Sequence, residues 1–394
     1  MFNSLSKFQG SKNKKKGNIW QLFRATDFES LMYPSFTICR ILALFPYQIN
    51  GLNIKIFKPF YVLSTIITCV NCVCTLIIFY ILNFSKDDES YYTNLPISRQ
   101  LKENCYLICG CLTAVATFIL SKPRMHLFQT IMQLSSKLSS ETYQNLSRLI
   151  HAKDISFLVC LFVEVLIFLY HVGDLLTTFL VYNTMIVFHM DLLYTNCVFV
   201  LDACFKQVND NLMNLVAPVT NDESHNLRRT YYNERNPLME LKALKKQHLA
   251  ISNTVRKLNM IFSLQLLVTT IRTFSEITFL LFFFVMRWKI GMTVNNVNEH
   301  IYNMFLILAM TCSAIKTGLV IWSCETGKNQ AADIKTTIHS VLNSTRDIQI
   351  KRELQLFSLQ LMHHKNVFST KWFNIDVTLL TAVSDRTFAF SLCM

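Results

Sequence analysis

Six apolar runs, each near or beyond the roughly 20 residues a helix needs to cross a hydrocarbon core of about 30 Å, dictate what this chain can fold into. They cover Pro59–Leu82, Asn104–Ser121, Ile155–Tyr170, Leu175–Phe205, Leu258–Met286 and Ile301–Cys324. Lipid offers the backbone no hydrogen bonds, so a span must satisfy its own N–H and C=O groups, and uninterrupted apolar runs of this length predict helices. A weaker seventh run starts at Ile375, giving an all-α, polytopic, seven-transmembrane helix bundle. Only residues 171–174 part the third run from the fourth, which predicts a tight antiparallel turn. Runs four and five exceed the bilayer and are expected to tilt or to project beyond it.

Orientation follows from the connecting segments, because Lys and Arg are retained on the cytosolic side. With a cytosolic N-terminus, segments 1–58, 122–154, 206–257 and 325–372 are internal and carry 9, 5, 9 and 7 Lys and Arg. Segments 83–103 and 287–300 are then external and carry 3 and 2. The bias predicts an inverted topology relative to G-protein-coupled receptors. Residues 1–58 read as a basic tail followed by an interfacial or re-entrant apolar segment, Phe28–Asn50, interrupted by Pro34, Arg40 and Pro46. Residues 59–394 read as the transmembrane domain, with 122–154, 206–257 and 325–372 as its cytosolic loops. The unbroken stretch from Leu241 to Gln265 predicts one long helix rising from the cytosol into the fifth span, with Leu241, Leu244, Leu249, Val255 and Leu258 available to a partner helix.

Composition narrows the function. Eight glycines leave no Gly-rich phosphate loop, and the net charge of +13 in so apolar a chain fits loops facing anionic lipid rather than nucleic acid. The 13 cysteines lie mostly in or beside apolar runs, where thiols behave as small hydrophobes. The Cys72/Cys74 and Cys109/Cys111 pairs point apart on a helix, as do the adjacent His363 and His364, so metal ligation is disfavoured. No secretory signal, nucleophilic triad, cleft carboxylate pair or cofactor motif is present, and nothing argues for an enzyme. Of three sequons, Asn83-Phe84-Ser85 alone lies at an external span end.

Ionisable groups inside spans are costly and are functional candidates by default. Arg272 and Glu276 lie one turn apart in the fifth span, where they either pair with each other or hold a polar ligand between helices. Asp191 is placed to neutralise Arg272 or Lys316, and Glu164 has no evident partner. Tyr170, His171 and Asp174 mark the outer mouth between spans three and four, and Tyr182 lies just inside it. Trp288 and Trp322 read first as interfacial anchors.

The C-terminal segment carries a more specific signal. Its Phe357-Ser358-Leu359-Gln360-Leu361 core, followed by Phe368, Phe373, Asp376, Leu379 and Leu380, resembles the C-terminal signature of insect gustatory receptors. The resemblance implies a chemosensory, ligand-gated cation channel at the plasma membrane. It implies a homo- or hetero-tetramer with other gustatory receptors, a small-molecule tastant or internal nutrient entering an external cleft, and a pore lined by the seventh helices. No cofactor and no nucleic acid enter this scheme. Family members continue to a Thr-Tyr and a terminal Gln-Phe, whereas this chain reads Ser384, Asp385, Arg386 and stops at Met394. The expectation is therefore an atypical or truncated seventh helix and an impaired pore. A metabotropic seven-helix receptor needs the opposite orientation, and a secondary transporter needs broken midplane helices that this Gly-poor chain does not show.

Overall fold

The computed structural model describes residues 23–51, 53–84, 97–172, 175–220, 237–289, 297–363 and 368. Nine helices and one small hairpin make up these residues.

The first helix, α1 (Phe28–Ile41), starts at a reciprocal cap: the Asp27 carboxylate accepts from the Ser30 N–H at 2.8 Å, and Ser30 Oγ accepts from the Asp27 N–H. Pro34 is tolerated because the helix is held by what it buries, with Leu31, Met32, Phe36 and Cys39 turned inward. The chain then reverses. Ala43 adopts φ 57°, and the Leu44 N–H reaches back to the Cys39 carbonyl at 2.8 Å, a Schellman ending that normally recruits glycine. Strands β1 (Tyr47–Asn50) and β2 (Asn53–Ile56) pair antiparallel around Gly51 at φ 62°. This hairpin is an addition to the helical reading of Phe28–Asn50. Phe36, Phe45, Tyr47 and Phe128 stack into one aromatic cluster beneath it.

Next come α2 (Lys58–Phe84) and α3 (Ile97–Ile119), tied by reciprocal amide bonds between Asn83 and Asn104 at 3.1 and 2.8 Å. The Asn83 nitrogen, the atom a glycan would need, is committed to Asn104 and to the Phe79 carbonyl. At Leu120 the chain bends by 68° into α4 (Ser121–Ser135), so the start of the loop expected at 122–154 is helical. The third expected span lies within α5 (Ser140–Val172). The three longest helices follow: α6 (Leu175–Thr220), α7 (Pro237–Lys289) and α8 (Val297–Ser344), of 46, 53 and 48 residues. At 1.5 Å per residue each exceeds about 65 Å, twice a bilayer core, so their ends must project beyond it. The single long helix read over Leu241–Gln265 is part of α7. Finally α9 (Ile348–His363) packs on α7 and α8.

Among the described residues, four helices are long and apolar enough to cross a membrane: α2, α6, α7 and α8. The bent α3–α4 pair adds a fifth, while α5, which holds the third expected span, is not among them. The weak seventh span and the unusual chain ending lie outside the described residues. The four differ in surroundings. The apolar window of α2 is 17% buried, whereas that of α6 is 89% buried. Helix α6 is the axis of the bundle, touching α1, α3, α4, α5, α7 and α8.

Close approach to that axis is enforced at Gly110, where an added Cβ would sit 2.5 Å from Asn183 on α6. Gly110→Ala should therefore force α3 away from α6 and cost about 1–3 kcal/mol, read as a lower melting temperature of the purified protein. A second prediction concerns buried His151. Its Nδ1 accepts from the Phe23 N–H at 3.1 Å and its Nε2 lies 3.0 Å from the Leu31 carbonyl, which fixes the neutral, Nε2-protonated ring. Burial holds its pKa below the ordinary value. The unfolded chain then binds a proton that the folded one refuses, so stability should fall as pH drops from about 7 to about 5. His151→Asn should flatten that slope, and thermal melts across the range would check it.

Candidate functional site

Around Glu164 of α5 and Glu276 of α7, helices α3, α5, α6, α7 and α8 do not close on one another. A cavity remains between them, with about 70 Å³ open to the centre of a water molecule, room for roughly five waters. A smaller chamber of about 20 Å³ lies deeper. Leu161 and Glu164 from α5, Thr184 from α6 and Glu276 from α7 line both, making one two-part site.

The site's electrostatics are set by how each ionisable group is occupied. Arg272 is 2% exposed. Its guanidinium lies 4.6 Å above the Tyr106 ring, and Nη2 donates to Thr184 Oγ1 at 2.7 Å. The intrahelical Arg272–Glu276 pair is not formed, because the guanidinium is drawn across to α3 and α6, where an aromatic face and a hydroxyl replace water. Lys316 resolves the alternative left open for Asp191: its Nζ is 3.3 Å from Asp191 Oδ2, while Oδ1 accepts from Thr269 at 2.9 Å. Lys102 stands over the Tyr106 ring at 5.4 Å, at the rim. Among the described residues, Glu164 Oε1 is buried with no hydrogen-bond partner. The cations are thus engaged by the protein, while Glu164 and Glu276 face the empty space from opposite helices.

Of the residues expected at a ligand site, the structure brings Arg272 and Glu276 to the cavity. Tyr182 turns away, its hydroxyl donating to the Leu42 carbonyl at 3.3 Å where the chain reverses after α1. Tyr170 and His171 fall in the last turn of α5, with side chains outside the described set, and Asp174 is outside it altogether. Lys102, Glu103, Tyr106 and Thr184 were not anticipated. The Lys102–Tyr106 spacing of four residues places both on one face of α3, but nothing in the sequence shows that this face meets Arg272.

The C-terminal signature, as far as it is described, is an anchor. Phe357 packs edge-on against His248 of α7 with ring centres 5.5 Å apart, and Gln360 donates to the Lys245 carbonyl at 3.1 Å. Lys245 in turn pairs with Glu353. Phe368 is 1% exposed and fills the space left by Gly327 on α8, where a Cβ would meet its ring at 2.7 Å. Ser358 is half-buried on the same helix, while Phe373, Asp376, Leu379 and Leu380 lie outside the described residues.

Three comparisons bear on these features. The sequence profile of the 7tm chemosensory receptor family matches residues 32–383. A Drosophila melanogaster protein that carries the name gustatory receptor 28b is 40% identical over 81 residues, which span 19% of this chain and only 17% of that protein. The insect olfactory receptor OR5 from Machilis hrabei, solved alone and in complex with eugenol, superposes with TM-scores of 0.66 and 0.67 at 11% identity. Each match covers 92% of this chain and 96% of that receptor. At that identity the likeness concerns the fold. The profile match spans most of the chain, from α1 through the signature anchored on α7 and α8, and the chain is a multi-pass membrane protein that belongs to the insect chemosensory receptor family.

Proposed function

We propose that this chain is a gustatory receptor subunit at the plasma membrane. It assembles with copies of itself or its relatives into a tetrameric ligand-gated cation channel and takes a small polar tastant or nutrient into the cavity between α5 and α7. The observation that carries the reading is a gap. Among the described residues α5 and α7 share almost no direct packing, and the carboxylates of Glu164 and Glu276 face one another's helices across the cavity. A ligand there becomes the main contact between them. Helix α7 then runs without a break from Glu276 to Lys245, about 47 Å away, where α9 is clamped. Occupancy of the outer site can bias the inner anchor only if the ligand prefers one arrangement of α7 over the other.

Ligand chemistry follows from the lining. The OR5 structure holds eugenol, an aromatic phenol, whereas this cavity has Glu164, Thr184 and Glu276 lining both its parts and Arg272, Ser313 and Lys316 lining the deeper one. It fits a compact molecule rich in hydroxyl or amino donors. The Lys and Arg bias of the loops supports a cytosolic N-terminus, which separates this reading from a metabotropic receptor.

The test is functional expression of the full chain, screened with sugars, amino acids and small amines by current recording. Glu164→Gln and Glu276→Gln should each raise the half-maximal ligand concentration about tenfold or more, with surface expression unchanged. Tyr182→Phe should leave it unaltered, since that hydroxyl faces Leu42. Equal sensitivity in the two carboxamide variants and the parent would remove the cavity from ligand recognition. Staining of an N-terminal tag on intact cells would overturn the orientation.

A further inference from the structure

A second concavity lies nearer the N-terminal end of α5, apart from the ligand cavity. It is a groove of about 480 Å³ between α5, α6 and α8. Its depth comes from a helical stripe of small side chains on α5, Ala152, Ser156 and Cys160, facing Cys312, Ile315 and Leu319 of α8. Phe157 and Phe199 complete an apolar wall. The groove is charged at one end only, lined there by exposed Arg148 and buried Lys153. That end is cytosolic in the topology set by the loop charges. From Arg148 to Cys160 the groove runs about 18 Å along α5, the length of a lipid tail rather than of a compact tastant.

We propose that this groove is a binding site for a glycerophospholipid with an anionic head group, drawn from the cytosolic leaflet. One acyl chain lies along the small-residue stripe, and the phosphate is held by Arg148 and Lys153. The charge pattern selects this occupant. Lys153 is matched by Asp154, whose other oxygen accepts from Ser35 and from Asn196 at 2.9 Å, so that pair is neutral in sum and fully engaged on the carboxylate side. Among the described residues no carboxylate pairs with Arg148, which leaves one net positive charge at the mouth of an apolar slot. A monoanionic head group with an apolar tail complements both. Cys312 lines this groove and the deeper chamber of the ligand cavity, so the tip of a seated tail rests on a wall the two sites share.

Trp322 reports on occupancy. It is 48% exposed, and its ring lies 5.5 Å from that of Phe199 in the groove wall. The full-length receptor would be reconstituted into phosphatidylcholine vesicles containing a minor fraction of phosphatidylserine, with bromine on the acyl chains of one lipid or the other. The Trp322 signal is the difference between the parent and Trp322→Phe. At equal mole fraction, brominated phosphatidylserine should quench that signal more strongly than brominated phosphatidylcholine. Arg148→Gln should weaken the preference about fivefold. Lys137→Gln, which removes an exposed cation outside the groove, should leave it intact. Ser156→Phe, which fills the slot and keeps both charges, should abolish the preferential quenching. Equal quenching by the two lipids overturns the site, as does a Lys137→Gln loss matching that of Arg148→Gln, which would signify diffuse surface charge. Unaltered quenching in Ser156→Phe overturns it as well. None of these readouts depends on a tastant or on current, so failure here leaves the proposed receptor site standing, and the reverse holds.

Discussion

A polar side chain on a helix wrapped inside an apolar bundle depends on protein partners, because neither water nor lipid supplies one. Helix α6 is in that position: several of its polar side chains are met by different neighbours, while the side-chain oxygens of Asn183 and Asn196 and the Nε2 of His189 are buried without a hydrogen bond among the described residues. Thr184 receives Arg272 from α7, whose guanidinium also donates to the Asn183 carbonyl at 3.4 Å. Asp191 is met by Lys316 of α8 and Thr269 of α7. Asn196 donates to Ser35 of α1 at 2.8 Å and to Asp154 of α5 at 2.9 Å. Each contact fixes the rotation and height of one surrounding helix against the axis. Apolar packing alone tolerates sliding by a turn; these contacts do not.

The Lys316–Asp191 pair shows how such contacts act. Both groups are at most 6% exposed, so desolvation offsets much of their attraction, and the intact pair adds little net stability. Removing one partner would strand the other charge at about 3–5 kcal/mol. The pair therefore penalises every misregistered arrangement of α6 and α8 more than it rewards the correct one. The Asp154 cluster does the same for α1, a helix with Pro34 in its middle and a non-glycine residue in its left-handed ending.

Much of this could be read from the chain, for reasons that also explain what could not. Spans, the long α7 and the partnership open to Asp191 follow from length, hydropathy and the cost of a bare charge, which are properties of one segment at a time. The hairpin at Tyr47–Ile56 is held by Phe45 and Tyr47 stacking on Phe128, more than 70 residues away, so no local pattern announces it. The bend at Leu120 does carry a local signal, Pro123 in the first turn of α4, which offers no N–H to the Ile119 carbonyl, but the direction of the turn is set by the burial of Leu127, Phe128 and Ile131, which no local pattern announces. The residues of the candidate site divide in the same way. Arg272 and Glu276 stood out because charge in a span is conspicuous. Tyr106 and Lys102 did not, since an aromatic and a lysine near a span end are ordinary until α3 is known to face α7. Tyr182 faces Leu42 rather than the cavity, a direction that hydropathy on an almost fully buried helix cannot specify.

The distribution of packing along α7 bears on how a site near one end of it reaches the other. Its N-terminal part is gripped: Leu241, Leu244, Ile251, Val255 and Leu258 are buried, His248 is bracketed by Phe205 and Phe357, and α9 is bonded along its side. Its C-terminal part leaves the cavity towards α5. The cavity lies beside the C-terminal part, where Arg272 is already committed to Tyr106 and Thr184. On the proposed reading, a ligand engaging Glu276 and Glu164 would leave that arginine in place and draw α7 towards α5, with the arginine's aromatic seat as the fulcrum. Such a lever requires α7 to be helical throughout, and this 53-residue helix contains no proline beyond its first position and no glycine.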